Sequence, residues 1–123
     1  MNGLAETDAK EIWRRLKHSA DGLVPVIAVS ADNGRVLMLA YMDEEALTAS
    51  LQSGYMHYHS RSRNELWFKG ETSGHTQEIV SCTVDCDADT LMFTIHANGP
   101  ACHTGQETCF YRDLQDLLTE AEA

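Results

Sequence analysis

Two aliphatic runs rich in β-branched residues, LVPVIAV at 23–29 and RVLMLAY at 35–41, flank the dipeptide Asn33-Gly34. Asn-Gly readily takes the positive φ angles of a tight hairpin turn, so the spacing predicts an antiparallel strand pair closing at these two residues. From Tyr55 onward the texture remains extended: YMHYHSRSR, ELWFK, TQEIVSCTV, TLMFTIHA and ETCFYR come one after another, separated by Gly, Asn, Asp and Pro.

Helical periodicity is confined to three short stretches. Residues 7–19 place Ala9, Ile12, Trp13 and Leu16 on one face behind a Thr7/Asp8 cap, predicting an amphipathic helix packed on a sheet. Asp43 caps a second helix through Leu51, with Gly54 as its stop. Leu114, Leu117 and Leu118 predict a third, from Asp113 to about Ala121. The expected fold class is α+β and β-rich, with mixed or antiparallel strands and short flanking helices. At 123 residues, 43% hydrophobic and 23% charged, the chain has the size and composition of a single domain over residues 1–123.

Nine Lys and Arg against nineteen Asp and Glu give a formal charge of −10, the wrong sign for tracking a phosphate backbone, so nucleic-acid binding is excluded as a general function. An anionic small substrate suits the chain if the few cations cluster, and Arg61, Arg63, Lys69 and Arg112 flank its chemically richest segments. No stretch approaches the ~20 apolar residues of a membrane span, and the start has no secretory h-region. A soluble, cytoplasmic protein is expected. In that compartment Cys82, Cys86, Cys102 and Cys109 point to metal or catalysis more than to disulfides.

The sharpest motif is VDCDAD at 84–89, where Asp85, Asp87 and Asp89 recur with a period of two. An extended chain puts all three on one face, about 6 to 7 Å apart, where each pair repels until a divalent cation relieves it. All-oxygen ligands favour Mg²⁺; the bland alternative is a solvated acidic turn. An EF-hand loop counted from Asp85 requires Gly at the sixth place and Glu at the twelfth, where this chain has Thr90 and His96. By the same alternation Cys86 faces away from the aspartates. Cys102 and Cys109, in the Gly-bounded loop GPACHTGQETC, join it as candidate Zn²⁺ thiolates. Water in the fourth position makes a catalytic site and His103 there a closed structural one; unligated buried cysteines are the remaining alternative. Cys82, between Val80 and Val84, reads as a small core residue.

Between Tyr55 and Arg63 the odd positions, Tyr55, His57, His59, Arg61 and Arg63, give a strand one polar, cationic edge suited to an anion. KGETSGHTQ then joins Lys69 to two glycines and three hydroxyls, a composition able to wrap phosphate, although the order of a Walker loop is absent. A surface strand and a polar turn explain both segments equally well.

Taken in order, VLMLAYMDEEAL, SRSRNELWFKGETSGHTQ, VDCDADTL and GPACHTGQETCFY resemble the phosphoribosyl-AMP cyclohydrolases, ring-opening enzymes of histidine biosynthesis, over about residues 21–112. The resemblance implies an interwoven homodimer whose zinc is held by cysteines from both subunits: here Cys86, Cys102 and Cys109, with Mg²⁺ on Asp85, Asp87 and Asp89. It implies hydrolysis of the bond between nitrogen 1 and carbon 6 of the purine of phosphoribosyl-AMP, without the pyrophosphohydrolase domain found after this one in many relatives. Substrate binding then falls to Arg61, Arg63, Lys69, Thr72 and Ser73. His103, beside a thiolate in an irregular loop, is expected to transfer the proton. A nucleobase deaminase also attacks such rings with zinc, but its His-x-Glu and Pro-Cys-x-x-Cys motifs are absent. The non-enzymatic alternative is a structural zinc module for protein interaction, closed by His103.

Overall fold

The computed structural model describes residues 6–119, with side chains from residue 8 onward. Helix α1 (Glu6–Arg15) precedes β1 (Val24–Ser30) and β2 (Val36–Met42), and α2 (Glu44–Ser53) leads into the hairpin β3 (His57–Ser60) and β4 (Glu65–Phe68). Then come β5 (Gln77–Val84), β6 (Leu91–Ala97) and a 3₁₀ helix, Leu114–Leu118. Four strands form one sheet in the order β2-β1-β6-β5, antiparallel except for the parallel pair β1–β6; β3 and β4 form a second, two-stranded sheet. The α+β, β-rich expectation is met. Among the described residues no helix is long and apolar enough to cross a membrane.

Strand β1 is central and alternates strictly: Val24, Val26 and Ala28 are buried, as are Leu91, Phe93 and Ile95 beside them on β6. This face is covered by α2 and β3, through Leu47, Leu51 and the fully buried Met56 and Tyr58. The phenol of Tyr58 donates to Gln77 Oε1 (2.7 Å), satisfying two buried polar groups where the small sheet meets the large one. Helix α1 adds Ala9, Trp13 and Leu16 to the core, but packs chiefly on α2 and not on a sheet. Thr7 and Asp8 fall inside α1, so they do not cap it from outside. Asp43 and Gly54 bracket α2 as expected: Asp43 Oδ1 accepts the Ala46 N–H (2.8 Å), and Gly54 (φ +81°) donates to the Ser50 carbonyl.

The β1–β2 hairpin forms where Asn33-Gly34 predicts it, but its connection runs from Ala31 to Arg35, and only Gly34 has positive φ (+74°). The reason lies in β6. The Ala31 N–H donates to Ile95 O (2.8 Å), extending the parallel pairing beyond β1 before the chain can turn. Four further expectations are corrected. Residues 61–64 form a turn, so Arg61 and Arg63 lie beyond β3 and not on its edge. ETCFYR is irregular, and the third helix is a short 3₁₀ segment whose Leu114 and Leu118 are largely exposed; its expected end near Ala121 lies outside the described residues. Cys82 lies exposed on β5, an edge strand paired with β6 on one side only.

A bulge in β2 positions the cysteine segment that returns after β6. Ala28 pairs with Met38 and Val29 with Val36, leaving Leu37 as the extra residue and its carbonyl free of the β1 ladder. That carbonyl accepts the Cys109 N–H (2.7 Å), while buried Thr108 donates to the Val36 carbonyl (2.8 Å) and accepts the Phe110 N–H (3.0 Å). Thr108→Val keeps the shape and removes the hydroxyl, leaving these groups unpaired. It is expected to lower stability by about 1–3 kcal/mol, read as a fall in the urea midpoint at unchanged slope.

Candidate functional site

A cleft of about 380 Å³ opens between the β3–β4 hairpin, the KGETSGH loop after β4 and the GPACHTG loop after β6. Arg63, Lys69, Thr72 and Ser73 line it together with Cys102 and His103, so four of the five expected substrate contacts and the expected proton carrier share one concavity. Arg61 is placed elsewhere: its guanidinium lies 4.1 Å over the ring of Tyr41, a cation–π contact outside the cleft wall.

Local hydrogen bonds shape the cysteine loop. The Ala101 and Cys102 N–H groups donate to the Glu107 and Gln106 carbonyls, and Gly105 (φ +92°) donates back to Cys102 O, making a closed loop that carries His103 at its bend. Arg35, in the β1–β2 connection, pairs with Glu107 and steadies the loop from outside. The Thr104 hydroxyl donates to Cys102 Sγ (3.0 Å) and, with the Thr104 N–H, holds the Cys102 thiol below the usual range; Cys109 and Lys69 add to this. Cys109 shifts the other way, pushed up by burial and by the neighbouring Cys102. The two thiols therefore influence each other's ionisation, with Cys102 as the more readily ionised.

Lys69 is only 6% exposed, its Nζ 5.5 Å from the Trp67 ring centre. Burial pushes its pKa down, while Cys109 and Cys102 act in the opposite direction. Its ammonium is thus set below the cleft surface within the field of the thiol pair, a cation matched to thiolates. Thr72 and Ser73 are exposed at the rim.

The acidic run also groups its carboxylates, by another geometry than alternation. Strand β5 ends at Val84, and 85–90 is a turn in which Ala88 adopts φ +61°. Asp85 Oδ1 accepts the Asp89 (3.0 Å) and Thr90 (3.2 Å) N–H groups, and the Lys17 N–H donates to Ala88 O (2.7 Å), fixing the turn to the end of α1. One ligand oxygen from each of Asp85, Asp87 and Asp89 lies within 4.8 Å of the others, closer than an extended strand allows. Desolvation works to raise the Asp85 carboxyl, but the N–H bonds outweigh it and hold it low. The Asp85 and Asp87 side chains push Asp89 up, because carboxylates this close do not all ionise alone. Three convergent hard oxygens fit a divalent cation such as Mg²⁺.

Cys86 sits on this turn, exposed, ahead of β6, whereas Cys102 and Cys109 lie beyond that strand. Seven residues of β6 at about 3.3 Å each separate the two regions by about 20 Å. Among the described residues of one chain the aspartates are the only grouping of three metal-binding side chains, so Cys86 does not join the thiol pair within a chain. Two contributors carry little or no signal in the sequence. Thr108 has no local pattern to mark it, and His75, which lines the cleft, is one polar residue among many inside KGETSGHTQ.

Comparison with known proteins agrees with this arrangement. Residues 38–111 match the family model described as phosphoribosyl-AMP cyclohydrolase, a stretch that takes in the cleft-lining residues, the acidic turn and both site cysteines after β6. The chain is 56% identical over 99 residues to the phosphoribosyl-AMP cyclohydrolase of Haloquadratum walsbyi, covering 80% of this chain and 75% of that one. Against the phosphoribosyl-AMP cyclohydrolase of Streptomyces avermitilis it is 56% identical over 113 residues, 92% of this chain and 84% of the relative. A histidine biosynthesis bifunctional protein of Aquifex aeolicus is 49% identical over 107 residues, 86% of this chain and 52% of its own. Identity at this level across most of the chain, with a model match through every segment that builds the cleft, places the chain in the phosphoribosyl-AMP cyclohydrolase family.

Proposed function

We propose that the chain hydrolyses phosphoribosyl-AMP in the cytoplasm, at the bond between nitrogen 1 and carbon 6 of its purine, giving the formimino-carboxamide ribonucleotide of histidine biosynthesis. The observation that carries this reading, in a chain of this family, is a single cleft that joins an ionisable thiol, an adjacent imidazole and a rim of cationic and hydroxyl groups. Water adds its oxygen to carbon 6, the bond to nitrogen 1 breaks with its electron pair going to nitrogen, and that nitrogen takes up a proton. Zinc on Cys86, Cys102 and Cys109, when bound, supplies a Lewis acid that lowers the pKa of a water to about 7. His103 carries the proton, since an imidazole both accepts and donates near neutral pH. Arg63, Thr72 and Ser73 hold phosphate oxygens at the cleft mouth, Lys69 contributes its charge from below, and Arg61 acts from the Tyr41 side. Asp85, Asp87 and Asp89 would hold Mg²⁺, whose charge would offset that of the phosphorylated arms.

The same reading makes the active form a homodimer. With Cys86 on the turn before β6, and not grouped with the other two thiols among the described residues of one chain, a second copy is needed to complete a three-cysteine site. The outer face of the large sheet offers a surface for it: Leu39, Ile27 and Met92 lie side by side across β2, β1 and β6, and Leu39 and Met92 are 46% and 43% exposed. An apolar row uncovered on three adjacent strands is suited to burial against another protein surface.

Ultraviolet absorbance during incubation with phosphoribosyl-AMP and Mg²⁺ tests the reaction, and no conversion by folded, zinc-loaded protein would sink it. Metal analysis is expected to find about one zinc per chain, lost in Cys102→Ala and kept in Cys82→Ala. His103→Ala should keep its zinc and lose about 10² to 10⁴ in turnover; loss of the metal would make His103 a ligand instead. Dialysis against EDTA should remove activity that Mg²⁺ restores while zinc stays bound, and the triple Asn variant of Asp85, Asp87 and Asp89 should lose that Mg²⁺ dependence. In sedimentation the protein should run as a dimer that Met92→Lys weakens, because the change puts a charge on an apolar contact; an active zinc-loaded monomer contradicts the shared site.

A further inference from the structure

His75 is held more tightly than its place in a polar surface loop suggests. At Gly99 (φ +108°) an added Cβ would lie 2.5 Å from His75 Cδ2, 3.0 Å from Cγ and 3.1 Å from Nε2, so the imidazole rests directly on a bare Cα. At Gly70 (φ +89°) an added Cβ would lie 2.5 Å from both the His75 carbonyl carbon and the Thr76 nitrogen. Two glycines that have no room for a side chain therefore clamp one residue, Gly70 against its backbone and Gly99 against its ring. The loop is also sewn down: Gly74 N–H donates to Gly70 O (2.8 Å), Asn98 Nδ2 to Gly74 O (3.0 Å) and the Asn98 N–H to Thr76 O (2.8 Å). The His75 N–H donates to Ser73 Oγ (3.2 Å).

The ring that this scaffold fixes lines the cleft, and among the described residues neither of its nitrogens has a hydrogen-bond partner. Its neighbours there include Arg63, Lys69, Thr72 and Ser73, groups that donate hydrogen bonds or carry positive charge. The donors in this lining outnumber its one carboxylate, Glu71, so the unpartnered imidazole among them suits an oxygen that only accepts. We infer that His75 is a substrate-binding residue which donates to a phosphate oxygen of the nucleotide, and that Gly99 is the positioning residue that seats its ring. The inference rests on the ring-opening reading for its choice of substrate and is distinct from the proton transfer assigned to His103.

The test uses the zinc-loaded full chain, with steady-state ring opening and calorimetric binding of AMP measured on each variant. Loss of one charge-assisted hydrogen bond predicts that His75→Ala raises KM, and weakens AMP, by about 10-fold to 100-fold, with kcat changed much less. His75→Asn, which restores a donor near Nδ1, should recover most of the loss. Gly99→Ala should reproduce the His75→Ala rise in KM in the wild-type background and, in the His75→Ala background, add no further rise in KM; the strain of alanine at φ +108° is read separately, as a fall in the urea midpoint in both backgrounds. A kcat loss at unchanged KM, no rescue by Asn, or a full Gly99→Ala rise in KM without the imidazole would each overturn the assignment. If no preparation opens the ring, the reaction reading fails while AMP binding still decides the role of His75: weakening with Asn rescue upholds it, and unchanged affinity ends it.

Discussion

The hydrogen bond from the Cys109 N–H to the Leu37 carbonyl is the contact on which the geometry of the cleft depends. A regular β1–β2 ladder would have used that carbonyl within the sheet. The bulge releases it on the side of the chain that returns after β6, and Thr108 binds the adjacent Val36 carbonyl in the same way. The cysteine loop is therefore fastened to the edge strand β2 at one end and continues directly from the central strand β6 at the other. Irregular backbone so anchored can hold thiols and an imidazole without secondary structure of its own.

The features legible in the sequence are those whose causes are local. Asp43 and Gly54 can be read directly, because a cap and a left-handed stop act within a turn of the helix they bound. Asn33-Gly34 announces the hairpin but not its connection, since the Ala31 N–H answers to Ile95, far along the chain. The three aspartates group as their spacing suggests but take a different shape: period-two alternation needs an extended backbone, and Ala88 in a left-handed conformation supplies a turn instead. Thr108 stays invisible because its acceptor lies 72 residues earlier, and His75 because its meaning comes from the absence of a side chain at Gly99.

Electrostatics explains how so acidic a chain can have a cleft for anions. Negative charge is concentrated at the turn before β6, where three carboxylates crowd within 4.8 Å, while the cleft beyond β6 collects Arg63 and the buried Lys69. Within one chain the two fields are held a strand's length apart and screened from each other; in the proposed dimer the acidic turn of a second copy comes to each cleft together with its Cys86, where a divalent cation on the aspartates would offset its charge. The formal charge of −10 therefore does not describe the local field of the cleft, which Arg63, Lys69 and a cation held by the aspartates would set.

That separation also bears on inheritance. With the thiolates divided as proposed, each catalytic centre of a dimer takes its Cys86 from one chain and its Cys102 and Cys109 from the other. A chain damaged only at Cys86 and a chain damaged only at Cys102, each inert in its own homodimer, would build in their mixed dimer one centre carrying both lesions and one carrying neither. Alleles of these two classes would complement each other in one cell, whereas two alleles of the same class would not. Strand β6 thus determines which defects behave as recessive partners.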